Sequence, residues 1–173
     1  MEFLNVVFQS GNDLTDTFKK IAEKLFNEYA IETRYSIYRL VEIEFYWRSE
    51  EHDDNSVYRR VHIDPETGTW YFHYSGVDIA LKDEVNGGFG GILIRSIYDI
   101  QSKKLHKGPQ VCAMKLFSGT SVFDNSFKTR LITYKFNETN PLKTIQRKGL
   151  GKNAEINDLH KREYNFYLEL NKN

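Results

Sequence analysis

Cysteine is almost absent from this 173-residue chain, in which Cys112 stands alone. A single thiol excludes an internal disulfide and any cysteine-based zinc cluster, and it suits a reducing compartment. Long apolar runs are missing as well. Mean hydropathy is −0.58 and no stretch approaches the roughly 20 residues of a membrane span, so no membrane partner is expected. The opening Met-Glu-Phe-Leu-Asn-Val-Val-Phe lacks the basic region of a secretory signal, and the expectation is a cytoplasmic protein. Neither a repeat nor a low-complexity linker divides the chain, so residues 1–173 read as a single domain.

Net charge is the third thing lacking, with 24 Lys and Arg against 24 Asp and Glu. The zero hides a division. Residues 1–100 hold 10 basic and 18 acidic side chains, a balance of −8, and residues 101–173 hold 14 and 6, a balance of +8. Either the second half builds a surface for a polyanion, or the halves complement one another when folded. A dedicated duplex-DNA domain carries a clear basic excess, which this chain does not, so only weak duplex affinity is expected.

What is present is a core: 40% hydrophobic and 14% aromatic residues suffice for one well-buried domain. Leu14, Phe18, Ile21, Leu25 and Phe26 recur at helical spacing behind a cap at Asn12 or Asp13. Residues 33–47 read as one long strand or two with a turn, residues 49–65 as a charged loop, and 68–74, 77–81 and 91–97 as strands. Residues 86–91 read as a glycine-rich turn that does not fit the phosphate-cradling patterns. Gly108-Pro109 opens a short helix, and 130–136 and 163–170 close the chain as strands. The expected fold class is α+β, a single domain with a curved antiparallel β-sheet flanked by helices.

The most informative segment is 40–48. As a strand it places Val41, Ile43, Phe45 and Trp47 on one face and Glu42, Glu44, Tyr46 and Arg48 on the other. A carboxylate two residues from a ring is what a site needs to stack a planar substrate and set a base against it. The plainer reading is an edge strand with a wet face. Arg95 interrupts an apolar strand, and a guanidinium there requires an acidic partner, for which Glu44 and Asp78 are the candidates. Tyr71 and His73 share one face of their strand, opposite Trp70, Phe72 and Tyr74. His52-Asp53-Asp54 and His62-Ile63-Asp64 mix ligand types without helical spacing or cysteine partners, so neither a metal nor a cofactor is expected.

These blocks carry a resemblance. Val41-Glu42-Ile43-Glu44-Phe45-Tyr46 resembles the Val-Glu-Thr-Glu-Ala-Tyr segment of the alkyladenine (3-methyladenine) DNA glycosylase family. Gly68-Thr69-Trp70-Tyr71-Phe72-His73 is similar to its Gly-Thr-Leu-Tyr-Val-Tyr strand. Residues 91–97, Gly108-Pro109 with 111–114, and the closing 161–167 resemble later blocks in the family's order. The resemblance implies a divergent member in which Glu44 activates a water as general base and Arg95 orients it. Tyr46 and His73 would sandwich a flipped base, His52 would answer to a base-contacting histidine, and Asp78 lies nearest a base-screening asparagine. Where the family carries an aromatic wedge for opening a duplex, this chain has Ser75-Gly76, which favours a free nucleotide or single strand.

Three readings follow. The first is a hydrolase of N-glycosidic bonds acting on DNA or a small nucleotide. The second is a non-catalytic pocket for a nucleobase or nucleotide, and the third a structural or partner-binding domain. The residues expected at a site are Glu44, Arg95, Tyr46, His52, Tyr71, His73 and Asp78. Oligomeric state is not legible.

Overall fold

The apolar stripe of Leu14, Phe18, Ile21, Leu25 and Phe26 forms one buried face of a helix, α1 (Leu14–Glu28), with Ala22 between them. The computed structural model describes residues 2–4, 14–58, 65–85, 87–121, 123, 128–138, 140–155 and 158–170. The cap expected at Asn12 or Asp13 and the His62–Asp64 pair lie outside them. After α1 the chain turns directly into β1 (Tyr29–Glu32), reverses at 33–36 and runs out as β2 (Ile37–Arg48). The long strand and turn expected over 33–47 are thus shifted, with the turn at its start.

Beyond the 49–58 loop come β3 (Trp70–His73), β4 (Gly76–Asp83) and β5 (Gly88–Asp99). Then follow β6 (Lys104–Lys107), α2 (Pro109–Phe117), β7 (Arg130–Thr133), β8 (Leu142–Ile145) and β9 (Asn165–Leu168). Every pairing is antiparallel, in the order β3-β4-β5-β2-β1-β7. The sheet forks at β2, whose first residues pair with β1 and whose Glu42–Glu44 pair with β9, itself joined to β8. The result is one α+β domain: a curled antiparallel sheet with, among the described residues, two α-helices. No helix of the described residues is long and apolar enough to cross a membrane.

Opposed residues on neighbouring strands share a face, so the register divides the sheet into rows. Phe45, Ile92, Ile79 and Trp70 form a row on the core side. There Phe18 of α1 stacks on Phe45 with ring centroids 4.4 Å apart, and Cys112 and Leu116 of α2 join the same cluster. Burial pushes the Cys112 thiol up to about 12, so it behaves as a small apolar group. On the other face Asn165, Glu44, Leu93, Asp78 and Tyr71 align across β9, β2, β5, β4 and β3. That row carries the polar groups.

Two expectations on this sheet need correcting. Alternation places Val41 with Ile43, Phe45 and Trp47, but register shifts flank Glu42. The irregularity changes which parity faces the core: Tyr38 and Leu40 before it, Ile43, Phe45 and Trp47 after it, with Val41 buried outside that cluster. Second, Gly88, Gly90 and Gly91 belong to β5 and not to a turn. The reason is crowding. A Cβ on Gly88 would lie 2.2 Å from the Trp47 indole, and one on Gly90 would lie 2.0 Å from the Tyr46 carbonyl oxygen.

If this close approach fixes the register, Gly90→Ala must push β2 and β5 apart. It should cost about 1–3 kcal/mol, the usual range for overpacking, read as a lower urea midpoint. Gly151→Ala, where a new Cβ meets nothing within 4 Å, should leave the midpoint unchanged.

Candidate functional site

Glu44 is fully buried, yet both its oxygens are engaged. Oε2 accepts from the Tyr46 hydroxyl at 2.9 Å and from Arg95 Nη1 at 3.0 Å. Oε1 accepts from the Lys148 backbone N–H at 2.8 Å and from Asn165 Nδ2 at 2.9 Å. Four donors, one of them a guanidinium, compensate the desolvation of this carboxylate. Of the two acids expected to partner Arg95, Glu44 is the one that does.

Glu42 sits one turn of the pleat away on the same face. Its Oε1 accepts from Asn165 Nδ2 and Lys148 Nζ, both at 2.9 Å, and its Oε2 from the Ser96 hydroxyl at 2.9 Å. Burial alone would raise its pKa, but the hydrogen bonds from Asn165, Lys148 and Ser96 prevail and hold the carboxyl below its ordinary value. Arg95 Nε stands 3.6 Å from Glu42 Oε1.

Above this polar row lies a cavity of about 560 Å³, whose wall includes Tyr46, His73, Asp78, Leu93 and Arg95. The 55–58 loop, the Tyr74-Ser75 turn and residues 148–151 enclose it. Of the expected site residues, Tyr46, His73, Asp78 and Arg95 therefore share one cavity. Glu44 was expected there too, but it lies behind the wall and reaches the cavity only through the groups it holds. Tyr71 does not line the cavity either, although it shares the row of Asp78.

His52 points elsewhere. Its Nδ1 bonds the Trp47 carbonyl at 2.9 Å and must carry the proton, so Nε2 accepts from the Tyr164 hydroxyl at 3.1 Å. It ties the 49–58 loop to the end of β2 and does not line the cavity. Burial lowers its pKa, an effect the Trp47 carbonyl partly offsets. Its neighbours diverge as well: Asp53 pairs with Arg48 at 2.6 Å and Asp54 pairs with Arg147.

Sequence reasoning missed Arg147. Its side chain is wholly buried and ion-paired to the equally buried Asp54, and it donates to the carbonyls of Phe45 and Leu159. The guanidinium carbon lies 4.7 Å from the Tyr46 ring centroid and 5.5 Å from that of Tyr164. One face of Tyr46 is therefore taken by a cation–π contact, while the residue also lines the cavity. His73 is more deeply enclosed: its side chain is only 5% exposed, and the Tyr58 ring lies 4.3 Å away, tilted by 33°. Nothing in the local sequence marks Arg147. Asn165 had a signal: a polar residue alternating with Tyr164 and Phe166 on a strand.

Two outcomes follow for stability. Arg147→Met leaves the Asp54 carboxylate buried and unpaired, and should cost about 3–5 kcal/mol in chemical denaturation. Replacing both partners by apolar residues (Arg147→Met with Asp54→Leu) should recover much of it. The second concerns His52. The unfolded chain takes up a proton as pH falls through about 6.5 while the folded, buried ring stays neutral, so stability drops on going below that pH. His52→Gln should show a shallower loss of melting temperature between pH 7 and 5.5 than the parent.

No family model matches the chain. It is 30% identical over 182 residues to the uncharacterized protein L759 of Acanthamoeba polyphaga mimivirus, an alignment covering 91% of this chain and 72% of that protein. On that identity and coverage, the chain belongs to the same protein family as this mimivirus protein.

Proposed function

We propose that the chain holds a nucleobase or nucleotide in the cavity, with Tyr46 as the stacking surface. One observation carries this reading. The Tyr46 hydroxyl and Arg95 are pinned to the same buried carboxylate, and both form the cavity wall beside the His73–Asp78 pair. A ring held rigidly, with polar groups around its edge, is what recognition of a planar heterocycle requires. About 560 Å³ suits a nucleotide-sized ligand. The zero net charge favours a free nucleotide or an unpaired strand over duplex DNA.

Hydrolysis of an N-glycosidic bond with Glu44 as general base is the second reading. It is favoured by the contact of Glu44 with Tyr46 and Arg95 at the wall, and by the resemblance to the alkyladenine DNA glycosylases, a DNA-repair family. Against it, a water could reach Glu44 only by displacing one of its four donors. Binding without cleavage therefore comes first.

A screen of free nucleotides, single strands and alkylated DNA, scored for both binding and base release, separates the two. Tyr46→Ala should weaken binding by about 1–3 kcal/mol, the range for base–aromatic stacking. In a binder the parent releases no base, and Glu44→Gln lowers affinity by loosening Tyr46 and Arg95. In a hydrolase the parent releases base, and Glu44→Gln stops release while affinity survives. Absence of binding by every nucleobase, nucleotide and strand tested would defeat both.

A further inference from the structure

The polar groups of the cavity wall are not equally satisfied. Glu44 has four donors, whereas Asp78 has one: Oδ1 accepts from His73 Nε2 at 3.0 Å. The Ser75 backbone N–H donates to His73 Nδ1 at 3.2 Å, which leaves the histidine proton on Nε2, facing Asp78. Among the described residues no Lys or Arg pairs with Asp78 and no donor meets Oδ2, although its side chain is only 7% exposed. That oxygen lies in the space left by Gly91, 2.7 Å from where a Cβ would stand. Gly91 is directly opposite Tyr46 across β2 and β5, so Oδ2 lies beside the stacking ring.

A carboxylate this buried, with one hydrogen bond, keeps acceptor capacity that a ligand's donors can fill. Its open oxygen is at the wall of a cavity and next to a ring. We propose that Asp78 is the group that reads the ligand, and that it takes a planar ring whose edge presents two adjacent N–H donors. The 1-NH and 2-amino edge of guanine has this pattern, and so does an amidine. A ring lying on Tyr46 would present that edge to Asp78, with His73 holding the carboxylate in place and Glu44 acting only behind the wall. This inference rests on the binding reading above and names its ligand class.

The experiment uses guanosine, xanthosine and benzamidine as probes, titrated calorimetrically into the full chain. Xanthosine replaces the 2-amino group by an oxygen that opposes a carboxylate. Guanosine should bind about tenfold or more tightly than xanthosine, and Asp78→Asn, which keeps the shape, should abolish or invert that preference. Equal affinities, or a preference unchanged in Asp78→Asn, overturn the proposal. Benzamidine separates the two levels of the argument. If no purine binds but benzamidine binds and is lost in Asp78→Asn, the nucleobase reading fails while the role of Asp78 stands. If neither purine nor benzamidine binds the parent protein, the proposal itself falls. A measurement on the unsubstituted chain guards against a variant that does not fold: the carboxyl 13C resonance of Asp78 should shift on adding a bound probe, and an unmoved resonance counts against the proposal.

Discussion

Burying the Glu44 carboxylate is the constraint around which the rest of this face is arranged. A desolvated anion costs several kcal/mol unless its lone pairs are filled by donors held in place. Here they come from β2 itself, from β5, from the segment at 148 and from β9. Each donor is thereby fixed as well. Tyr46 is held by its hydroxyl at the cavity wall, and burial, reinforced by the proximity of Glu44, raises its pKa, so the phenol stays protonated and donating. Arg95 cannot swing away without leaving the buried Glu44 without its cation. The geometry of the wall is therefore a consequence of satisfying one buried charge.

The same bookkeeping shows where charge is left over. Glu42 and Glu44 face Arg95 and Lys148, and Asp54 faces Arg147. These groups balance. Asp78 faces a histidine that already accepts from a backbone N–H, and it is the acid of the cavity wall without a cationic partner among the described residues. A wall that is rigid and neutral except at one carboxylate discriminates by hydrogen-bond pattern at that point rather than by net attraction of an anion.

The fold class and the strand of residues 40–48 were legible because their signals are periodic: a helical stripe in α1 and an alternation in β2. What was lost was lost for physical reasons. The bulge at Glu42 breaks the alternation at Val41, and no local pattern announces an irregularity that depends on the neighbouring strand. Gly88, Gly90 and Gly91 look like a turn in sequence, since only the approach of Trp47 and Tyr46 from β2 to the first two, and of the Asp78 side chain from β4 to the third, explains them as strand residues. β1, β6 and β8 are not legible as strands, and length alone is not the reason, because β3, β7 and β9 are equally short and are. At the site, Tyr46 and Arg95 could be found from type and alternation, whereas His73 and Asp78 are placed there by the resemblance. The burial of Glu44 behind them, the turning away of His52, and Arg147 could not, because each depends on contacts made far along the chain.

The division of charge between the halves now has a structural counterpart. Glu32 of the acidic half pairs with Arg130 of the basic half, Asp54 with Arg147, and Glu42 with Lys148. Asn165 adds hydrogen bonds to both Glu42 and Glu44. For these residues the halves complement one another, which is one of the two explanations the sequence left open. The consequence is cooperative. β2 and β5 alone would leave Glu42 and Glu44 side by side with Arg95 as their cation, and the roof carrying Arg147 and Lys148 would have no anchor. The cavity wall and its cover therefore come into being together, when the last third of the chain closes over β2.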